Sequence, residues 1–525
     1  MAARIELRGF AGEIPKTPPH YLPDTHAVSS EGAALDRGSL TAFRQSVERH
    51  ETPAVAETVY LHGGDWLSWA TDADAVPGPV ATDRLYVTRA GAAPVMRIDG
   101  AEVPLELPNP TVRPTVAITG TVNAAEAVYV AYAWTWVTSL GEESAPSPLS
   151  PPILWSDGVI VTVGGMPSGF PTNRFITGKR IYRSETSVTG ATELFFVAEV
   201  PAANVSYVHN PATAPNQEPI ATDGFGPVPD NLQGLTAMPN GIMAGFRGKE
   251  IWFCEPFQPH AWPLKYVLTT NDFIVGLAAF GSSLAVLTTG LPYVVQGLHP
   301  EAMSMDKIEG GLPCVAKRSI VDMGYAAIYA SPDGLVQINS SGAQLISQAL
   351  WTSADWAKMQ PLNIRAARYG QRYAFLYLPQ GEITRKLALV DTTGAQPFLV
   401  RAADTGRSLF THPQTGDLYI LEAAGRKVLR FDPDTGAVGT YAWKSKPFRT
   451  LDSQTFGAVQ VDAEGDGGVL LTIIYADGVE KHRSNVRNKP FRLPDGAAKS
   501  WQIELRGNAE VIRVRLARTL QELAE

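Results

Sequence analysis

The chain has few cysteines and no long apolar segment. Its 525 residues include only Cys254 and Cys314, which are too few for a disulfide framework or a cysteine metal cage, so we expect each to be a small buried hydrophobe. No run approaches about 18 consecutive apolar residues, so no membrane span is predicted. The first thirty residues lack a basic stretch followed by an apolar one, and prolines interrupt them. We therefore expect no Sec-type export signal.

Charged residues are also scarce. They make up 18% of the chain, whereas about 25% is usual. Glycine and proline are abundant, at 47 and 40 residues, which favours turn-rich β structure over long helices. The formal net charge of −8 argues against a free-standing nucleic-acid binder, because such a protein carries a basic domain or stripe.

Motifs of catalysis and of metal binding are missing. The sequence contains no HExxH, GxSxG, P-loop or GxGxxG pattern, and no Asp-box turn of the kind found in sialidase propellers. Its nine histidines are scattered, with no pair at metal-ligand spacing. His260, beside Trp262, fits a packed loop histidine better than a ligand. We predict a protein that is not an enzyme, with no catalytic residue, no cofactor and no metal.

The pattern of short strands and turns predicts an all-β fold. We expect a β-propeller of about six blades, with an inserted fibronectin type III or immunoglobulin-like sandwich and a C-terminal β domain. Later blades are predicted to begin near Asn240, Asn271, Ile320, Ile364 and Gly406. The predicted domains are an extended N-terminal arm at 1–55, a first blade at 56–111, the sandwich at 112–228, the remaining blades at 229–445 and the C-terminal domain at 446–525.

Three local patterns support these assignments. Alternation from Val128 to Trp136 predicts five large apolar side chains on one strand face of the sandwich, namely Val128, Val130, Tyr132, Trp134 and Trp136. Alternation near the C-terminus predicts two strands with buried Trp501, Ile503, Leu505, Ile512, Val514 and Leu516. The best helix candidate in the chain is short, Trp351–Met359.

One cationic cluster is present. Lys481, Arg483, Arg487, Lys489 and Arg492 lie within 12 residues that we predict to be a turn between two strands. Acidic residues flank the turn, so a solvated hairpin loop accounts for it. The functional hypothesis is contact with an acidic partner subunit or with nearby DNA phosphates.

The stretch Lys249–Pro263, KEIWFCEPFQPHAWP, is the most distinctive in the chain. We call it the aromatic corner. Its prolines fix φ and remove backbone donors, so the segment must turn as an aromatic-rich loop. Residue by residue, it is predicted to be a packed loop on a β scaffold. The residues expected to pack are Trp252, Phe253, Glu255, Pro256, His260, Trp262 and Pro263.

Three stretches together resemble one family. The start, RGFAGEIPKTPPHYLPDTHAVSSEGAALDRGSLTAFRQ, is similar to the N-terminal arm of phage tail nozzle proteins. The stretch IWFCEPFQPHAWP resembles their YFSEPGxPHAWP corner, and WQIELRGNAEVIRVRLARTLQELAE resembles their closing strands. Phe253-Cys254 departs from the usual Phe-Ser type of pair. The family is the tail nozzle of short-tailed phages, also called tail tubular protein B or packaged-DNA stabilisation protein.

The resemblance implies a structural part of a bacteriophage tail. Such proteins form a ring, commonly hexameric, below an adaptor ring. The ring retains the genome and conducts it at ejection. The implied partners are further copies of the chain, the adaptor, tail fibre or spike proteins, and double-stranded DNA passing through the lumen without sequence-specific binding. The implied location is the virion, after synthesis in the bacterial cytoplasm.

Two alternatives remain open. One is a glycan-binding or glycan-cleaving propeller, such as a receptor-binding tail component. Cleavage would need two carboxyl groups about 5 to 9.5 Å apart, and the 52 acidic residues offer many chance pairs. The other is a bacterial surface protein built from a propeller and a fibronectin-like module, which the missing export signal disfavours.

Overall fold

The protein is described here by a computed structural model that covers residues 4–186, 192–210, 218–394, 396–464 and 468–523. The chain divides into two compact units. Unit 1 contains residues 1–72, 278–294 and 306–525, and unit 2 contains residues 73–277 and 295–305. Each unit is described by itself.

Strands account for almost all regular structure in the described residues, so the all-β prediction is confirmed. In the N-terminal segment of unit 1 the strands are β1 (Ile5–Arg8), β2 (Ala27–Glu31), β3 (Ala33–Ala34), β4 (Thr41–Ala42), β5 (Val47–Glu51), β6 (Thr58–His62) and β7 (Asp65–Trp69). In unit 2 they continue as β8 (Ala73–Pro77), β9 (Leu85–Arg89), β10 (Val95–Ile98), β11 (Ala101–Pro104), β12 (Thr115–Thr119), β13 (Val128–Val130), β14 (Tyr132–Thr138), β15 (Ile153–Trp155), β16 (Ile160–Gly164), β17 (Ile176–Thr186), β18 (Thr192–Pro201), β19 (Tyr207–His209), β20 (Gln233–Ala237), β21 (Met243–Arg247), β22 (Glu250–Phe253) and β23 (Leu268–Thr269).

The segment 274–307 is divided between the units and contains β24 (Ile274–Phe280), β25 (Ser283–Thr288), β26 (Tyr293–Gln296) and β27 (Ser304–Lys307). The rest of unit 1 contains β28 (Val321–Asp322), β29 (Ala327–Ala330), β30 (Leu335–Asn339), β31 (Gly342–Leu345), β32 (Arg365–Tyr369), β33 (Arg372–Tyr377), β34 (Arg385–Asp391), β35 (Phe398–Gly406), β36 (Ser408–Thr411), β37 (Leu418–Leu421), β38 (Lys427–Arg430), β39 (Tyr441–Ser445), β40 (Phe448–Gln454), β41 (Ala458–Glu464), β42 (Leu470–Ala476), β43 (Val479–Ser484), β44 (Phe491–Arg492), β45 (Ala498–Gly507) and β46 (Glu510–Ala517).

Helical structure is confined to short pieces. The α-helix of the described residues, α1 (Ser353–Lys358), lies within the predicted segment Trp351–Met359, so that prediction is confirmed. The Thr352 side chain caps it by accepting a hydrogen bond from the Asp355 N–H, and Trp356 on its inner face is buried. Single 3₁₀ turns occur at Pro19–Tyr21, Thr172–Arg174, Pro239–Gly241, Leu264–Tyr266, Pro300–Ala302, Lys317–Ser319 and Pro361–Asn363.

Four-stranded meanders, in which each strand pairs with the next, recur in both units. Unit 2 contains two of them, β8–β11 and β20–β23, and unit 1 contains β28–β31 and the run β32–β35 within a larger sheet. The strands that begin at Val321, Arg365 and Ser408 lie within two residues of predicted starts. The start predicted near Asn240 is wrong, because that sheet already begins at Gln233.

Strands from the start of the chain complete sheets formed by its end. In unit 1, β1 pairs antiparallel with β46, with Ile5 opposite Leu516. Strand β2 lies between β35 and β39 in the ten-stranded sheet, and β5 adds the fourth strand to β36–β38. The segment predicted as an extended arm at 1–55 is therefore paired into three sheets.

The strands from β12 to β19 form three small sheets around one core. The sheets are β12-β16-β19, β13-β15 and β14-β17-β18, and Val130, Tyr132, Trp134 and Trp136 are buried in their shared cluster. The prediction for Val128 is wrong, since its side chain is exposed. The chain changes partner at residue 131, from β15 to β17, so Val128 lies at the outer end of the two-stranded β13–β15 ladder, two residues farther from the larger sheet than the buried Val130.

The C-terminal strands match the predicted alternation except at Ile512. Trp501, Ile503 and Leu505 are buried, but Ile512 is exposed. A register shift in the β41–β46 pairing places Arg513 opposite Asp462 and Val511 opposite Ala463, which leaves Ile512 outside the ladder. Ala524 and Glu525, at the end of the stretch that resembles the nozzle family, lie outside the described residues.

The backbone at Gly12 packs closely against β35, so a substitution there tests how tightly the N-terminal segment is held. A Cβ built there would lie 2.2 Å from the Leu399 carbonyl oxygen and 2.6 Å from the Phe398 ring. We expect Gly12→Ala to lower the free energy of unfolding by about 1–3 kcal/mol, the usual cost of overpacking, as measured by chemical denaturation.

The matched control is Gly310→Ala in the same unit, because an added Cβ there meets nothing within 4 Å. It should change the free energy of unfolding by no more than about 0.5 kcal/mol. Equal effects of the two substitutions would show that the N-terminal segment does not pack closely against β35.

Candidate functional site

The aromatic corner is a buried structural turn of unit 2. Trp252 and Phe253, at the end of strand β22, are buried in the core. The chain then turns, and three backbone hydrogen bonds hold the turn. The N–H of Gln258 donates to the Glu255 carbonyl oxygen, the N–H of Ala261 to the Gln258 carbonyl oxygen, and the N–H of Glu255 to the Ala261 carbonyl oxygen. Trp262 is completely buried, and its indole Nε1 donates to the Pro259 carbonyl at 2.8 Å. The prolines have no backbone N–H, so they leave no unpaired backbone donor in this buried turn.

The other residues of the predicted packing set have distinct surroundings. Pro263 is buried, whereas Glu255 and Pro256 are only partly buried. The Glu255 carboxylate accepts a hydrogen bond from the Tyr266 hydroxyl at 2.8 Å. Phe257, between these residues, is exposed and has a left-handed backbone. The corner therefore presents one buried side and one side open to solvent.

Gly226 allows the corner to lie against the preceding segment. The Trp262 N–H donates to the Gly226 carbonyl at 2.9 Å. A Cβ at position 226 would lie 2.2 Å from the Trp262 carbonyl oxygen. Only glycine permits this backbone approach.

His260 connects the corner to a buried ionic cluster that we call the Glu142 cluster, made of Glu142, Arg174 and His260. These side chains are 4%, 1% and 3% exposed. The Arg174 Nη2 lies 2.7 Å from Glu142 Oε2, and His260 Nδ1 lies 3.8 Å from Glu142 Oε1. With so little exposure, these side chains contact one another and the protein interior rather than solvent.

The cluster joins separate parts of unit 2. Glu142 follows β14 and Arg174 precedes β17, so both belong to the sandwich segment. Arg174 also donates to the carbonyl oxygens of Leu105 and Glu106, just after β11. His260 Nε2 lies 3.0 Å from the Glu143 carbonyl oxygen. Three segments distant in sequence are thus held by one set of charges.

Burial controls the protonation of this cluster. Burial lowers the pKa of His260, and the nearby Glu142 carboxylate only partly opposes that effect. Burial also raises the pKa of Tyr86, which is close to Glu142 and Arg174, to about 12. The imidazole of His260 and the phenol of Tyr86 are therefore neutral at pH 7.

Several buried atoms of the cluster are unsatisfied. Among the described residues, Glu142 Oε1, Arg174 Nη1 and His260 Nδ1 have no hydrogen-bond partner. Unpaired polar atoms in an interior are costly. Glu142 and Arg174 left no signal in the sequence, because each looks like an ordinary loop residue.

The basic cluster is more dispersed than predicted. Lys481 and Arg483 lie on β43 and Arg492 lies on β44, so the prediction of a single 12-residue turn is wrong. Arg487 and Lys489 remain in the connecting loop. The predicted turn is shorter than 12 residues because both of its ends are strands. Strand β43 forms a hairpin with β42, and β44 pairs with β41 in another sheet.

Partners within the chain engage three of these cations. Arg483 binds Glu480 through two 2.7 Å hydrogen bonds, and Arg487 Nη1 donates to Gly468 O at 3.1 Å. The Lys481 Nζ donates to Gly496 O at 2.6 Å and lies 4.8 Å from the centre of the Trp501 ring. Lys489 and Arg492 are exposed.

No group of three or more histidine, cysteine, aspartate or glutamate side chains suited to a metal ion occurs within the described ranges. Cys254 and Cys314 are buried free thiols, and burial raises the pKa of each to about 12. In the same part of the chain, no helix is long and apolar enough to cross a membrane.

Comparisons with known proteins show low similarity. No family model and no curated protein matches the chain. Among solved structures, BBS1N in complex with ARL6DN is 10% identical and covers 75% of this chain and 99% of its own, with a TM-score of 0.30. YCF48 from Cyanidioschyzon merolae is 11% identical over 75% of this chain and 100% of its own, with a TM-score of 0.21.

A third structure is PorZ, a bacterial surface component of the type-IX secretion system of Porphyromonas gingivalis. It is 10% identical and covers 89% of this chain and 77% of its own, with a TM-score of 0.26. At these scores none of the three structures bears on function.

A double-mutant cycle measures the coupling within the Glu142 cluster. We expect Arg174→Met and Glu142→Met each to cost about 3–5 kcal/mol in free energy of unfolding, because each leaves the opposite charge buried and unpaired. The double variant should be less destabilised than the sum of the two. Denaturant unfolding followed by tryptophan fluorescence measures this.

The matched control is the same cycle on the exposed pair Arg247–Glu250, which lies 2.8 Å apart in the same unit. Its coupling should be no more than about 1 kcal/mol. Strictly additive effects at Arg174 and Glu142 would contradict a shared buried cluster.

The pH dependence of stability tests the neutrality of His260. The pKa of His260 is lower in the folded chain than its unfolded value of about 6.5. As the pH falls through that value, the unfolded chain binds more protons than the folded chain. The free energy of unfolding therefore decreases as the pH falls. We expect amide exchange in the peptide 249–263 to accelerate from pH 7 to pH 5.5, after correction for intrinsic rates.

His260→Gln should flatten this pH dependence, while His299→Gln, at an exposed histidine of the same unit, should retain it. An unchanged slope in His260→Gln would contradict the assignment.

Proposed function

We propose that this protein is a structural component of a bacteriophage tail, a nozzle ring that forms the distal DNA channel, retains the genome and conducts it at ejection. The observation that supports the proposal best is the position of the three stretches that resemble the nozzle family. The N-terminal stretch, residues 8–45, and the C-terminal stretch, residues 501–525, are neighbours, because Leu40 and Val511 exchange two backbone hydrogen bonds. The aromatic corner is the packed turn of unit 2.

The proposed architecture is a β-propeller of about six blades. The four-stranded meanders β8–β11, β20–β23, β28–β31 and β32–β35 have the strand order of propeller blades. The sheet β36–β38 receives its fourth strand, β5, from the N-terminal segment. Such an exchange is how a propeller closes without leaving an open edge. The sandwich at 112–228 is proposed to be a fibronectin type III-like insert.

The interactions inside each unit suit a rigid assembly part. A protein that must hold a pressurised genome needs stiffness rather than a mobile site. The buried Glu142 cluster in unit 2 and the long-range strand pairs of unit 1 both oppose local opening. The formal charge of −8 on each chain would disfavour DNA lodging in a ring.

The proposed partners are further copies of the chain in a hexameric ring, the tail adaptor, tail fibre or spike proteins, and DNA passing through the lumen. The exposed cations Lys489 and Arg492 and the loop at Arg487 are proposed to contact an acidic neighbour or DNA phosphates. The proposed location is the virion, and no catalytic role is proposed.

The mass of the purified protein in solution tests the assembly directly. Light scattering should give a ring of about six copies, or a monomer that forms such a ring when mixed with the adaptor encoded near its gene. Electron microscopy of the same sample should show a closed ring with a central channel. A monomer that ignores its neighbours and binds or cleaves a glycan would contradict the proposal.

Charge reversal addresses the basic residues separately. Lys489→Glu with Arg492→Glu should weaken assembly or DNA delivery, whereas reversal of Arg449, an exposed cation on β40, should not. Unchanged assembly and delivery in the double variant would remove the basic residues from the proposal while leaving the ring intact.

A further inference from the structure

A cation-rich cavity in unit 1 has no role in the account above. Its volume is 290 Å³, and its charged lining consists of Asp72, Lys317, Arg318, Arg365 and Arg385. We call it the arginine cavity. Small-molecule sites in proteins start at about 300 Å³, so the arginine cavity suits a small ligand.

Sheet geometry brings two arginines of the cavity lining, Arg365 and Arg385, close to a third arginine, Arg407. Arg365 is the first residue of β32 and Arg385 the first residue of β34. Arg385 is opposite Gly406, the last residue of β35, so Arg407 follows at the same end of the sheet. Because neighbouring strands are antiparallel, the starts of β32 and β34 and the end of β35 lie at the same end of the sheet. Arg365, Arg385 and Arg407 are therefore close to one another there.

One carboxylate, that of Glu57, forms ion pairs with two of these arginines. The Glu57 Oε1 lies 2.5 Å from Arg365 Nη2, and its Oε2 lies 3.0 Å from Arg407 Nε. Both oxygens are therefore already bound to a guanidinium. These side chains are only 22% to 34% exposed, so solvent screens their charges incompletely.

Arg385 is left without a carboxylate. Within the described part of the chain, its Nε donates to the Asn363 carbonyl oxygen at 3.0 Å, and no acidic side chain pairs with it. Burial, and next the positive charge of Arg365, lower the pKa of Arg385, and the Glu57 carboxylate only partly opposes this. A guanidinium nevertheless stays charged in proteins, and the nearby Glu57 carboxylate is already bound to Arg365 and Arg407.

The opposite wall is also cationic. Lys317 Nζ lies 2.9 Å from Asp72 Oδ2, and Arg318 binds the other oxygen of the same carboxylate. Although burial opposes the effect, Arg318 and Lys317 lower the pKa of Asp72 to about 2, so this aspartate is ionised at pH 7. Its two oxygens are occupied and cannot also serve Arg385.

We propose that the arginine cavity is a binding site for a small tetrahedral oxyanion, a phosphate or sulfate group, with Arg385 as its principal ligand and Arg365 and Lys317 beside it. A guanidinium presents a planar fork of donors that matches such oxyanions. A bound dianion would supply the counter-charge that Glu57 and Asp72, already paired with other cations, give to Arg385 only in part. Because the lining residues all belong to unit 1 of a single chain, the site stands whether or not the chain belongs to a phage tail.

The test uses the full-length protein in a phosphate-free and sulfate-free buffer. Isothermal titration calorimetry with sodium phosphate, and separately with sodium sulfate, should show saturable binding to one site per chain. Sodium chloride at matched ionic strength should not. The unfolding temperature should rise more with phosphate than with chloride at the same ionic strength, because a ligand that binds the folded state stabilises that state.

Arg385→Gln should weaken oxyanion binding about tenfold or more, since it removes a charge-assisted contact. The unliganded variant should unfold at the same or a higher temperature than the wild type, because one uncompensated charge is gone. Arg449→Gln removes an exposed cation elsewhere in the same unit and should bind as the wild type does.

A fluorescent 20-base-pair DNA duplex distinguishes a free oxyanion from the backbone of a nucleic acid. Binding of phosphate with dependence on Arg385 supports the proposal, whether or not the duplex also competes for the site. Equal responses to phosphate and chloride, or wild-type affinity in Arg385→Gln, would overturn it. Binding of the duplex alone, with no response to phosphate or sulfate, would also overturn it.

Discussion

Unit 1 depends on pairing between the two ends of the chain. Strand β2 lies between β35 and β39, and β1 lies at the edge of β46. The Glu13 carboxylate reinforces this arrangement, since it accepts a hydrogen bond from the Ser30 N–H at 2.9 Å and forms an ion pair with Arg401. Such contacts close very long loops, so forming them costs chain entropy. Once formed, they leave few sheet edges open in this unit.

Unit 2 relies on a different constraint, the burial of charge. Glu142 and Arg174 form an ion pair with almost no solvent contact, and His260 ties that pair to the aromatic corner. A buried pair of this kind contributes little net stability compared with apolar residues, but it tolerates only one arrangement of its neighbours. The Glu142 cluster therefore fixes how the corner, the sandwich segment and the end of β11 lie together.

The sequence predicted what local patterns can reveal. Prolines and glycines marked the turns, alternation identified the core strands, and the short helix lies within the expected segment Trp351–Met359. Non-local features escaped prediction. The register shift that exposes Ile512 depends on a partner strand, and β43 and β44 divide the basic residues between two sheets. Neither the Glu142 cluster nor the arginine cavity has a sequence signal, because their members come from distant segments and are unremarkable in isolation.

We propose that the chain works by assembling into a phage tail rather than by transforming a ligand. The most direct measurement is cryo-electron microscopy, with mass spectrometry, of purified phage particles produced by the genome that encodes this chain. The account predicts the chain in every particle, as a closed ring at the distal end of the tail channel around or below the DNA. Particles that lack the chain, or that carry it only as a peripheral receptor-binding appendage, would contradict the claim.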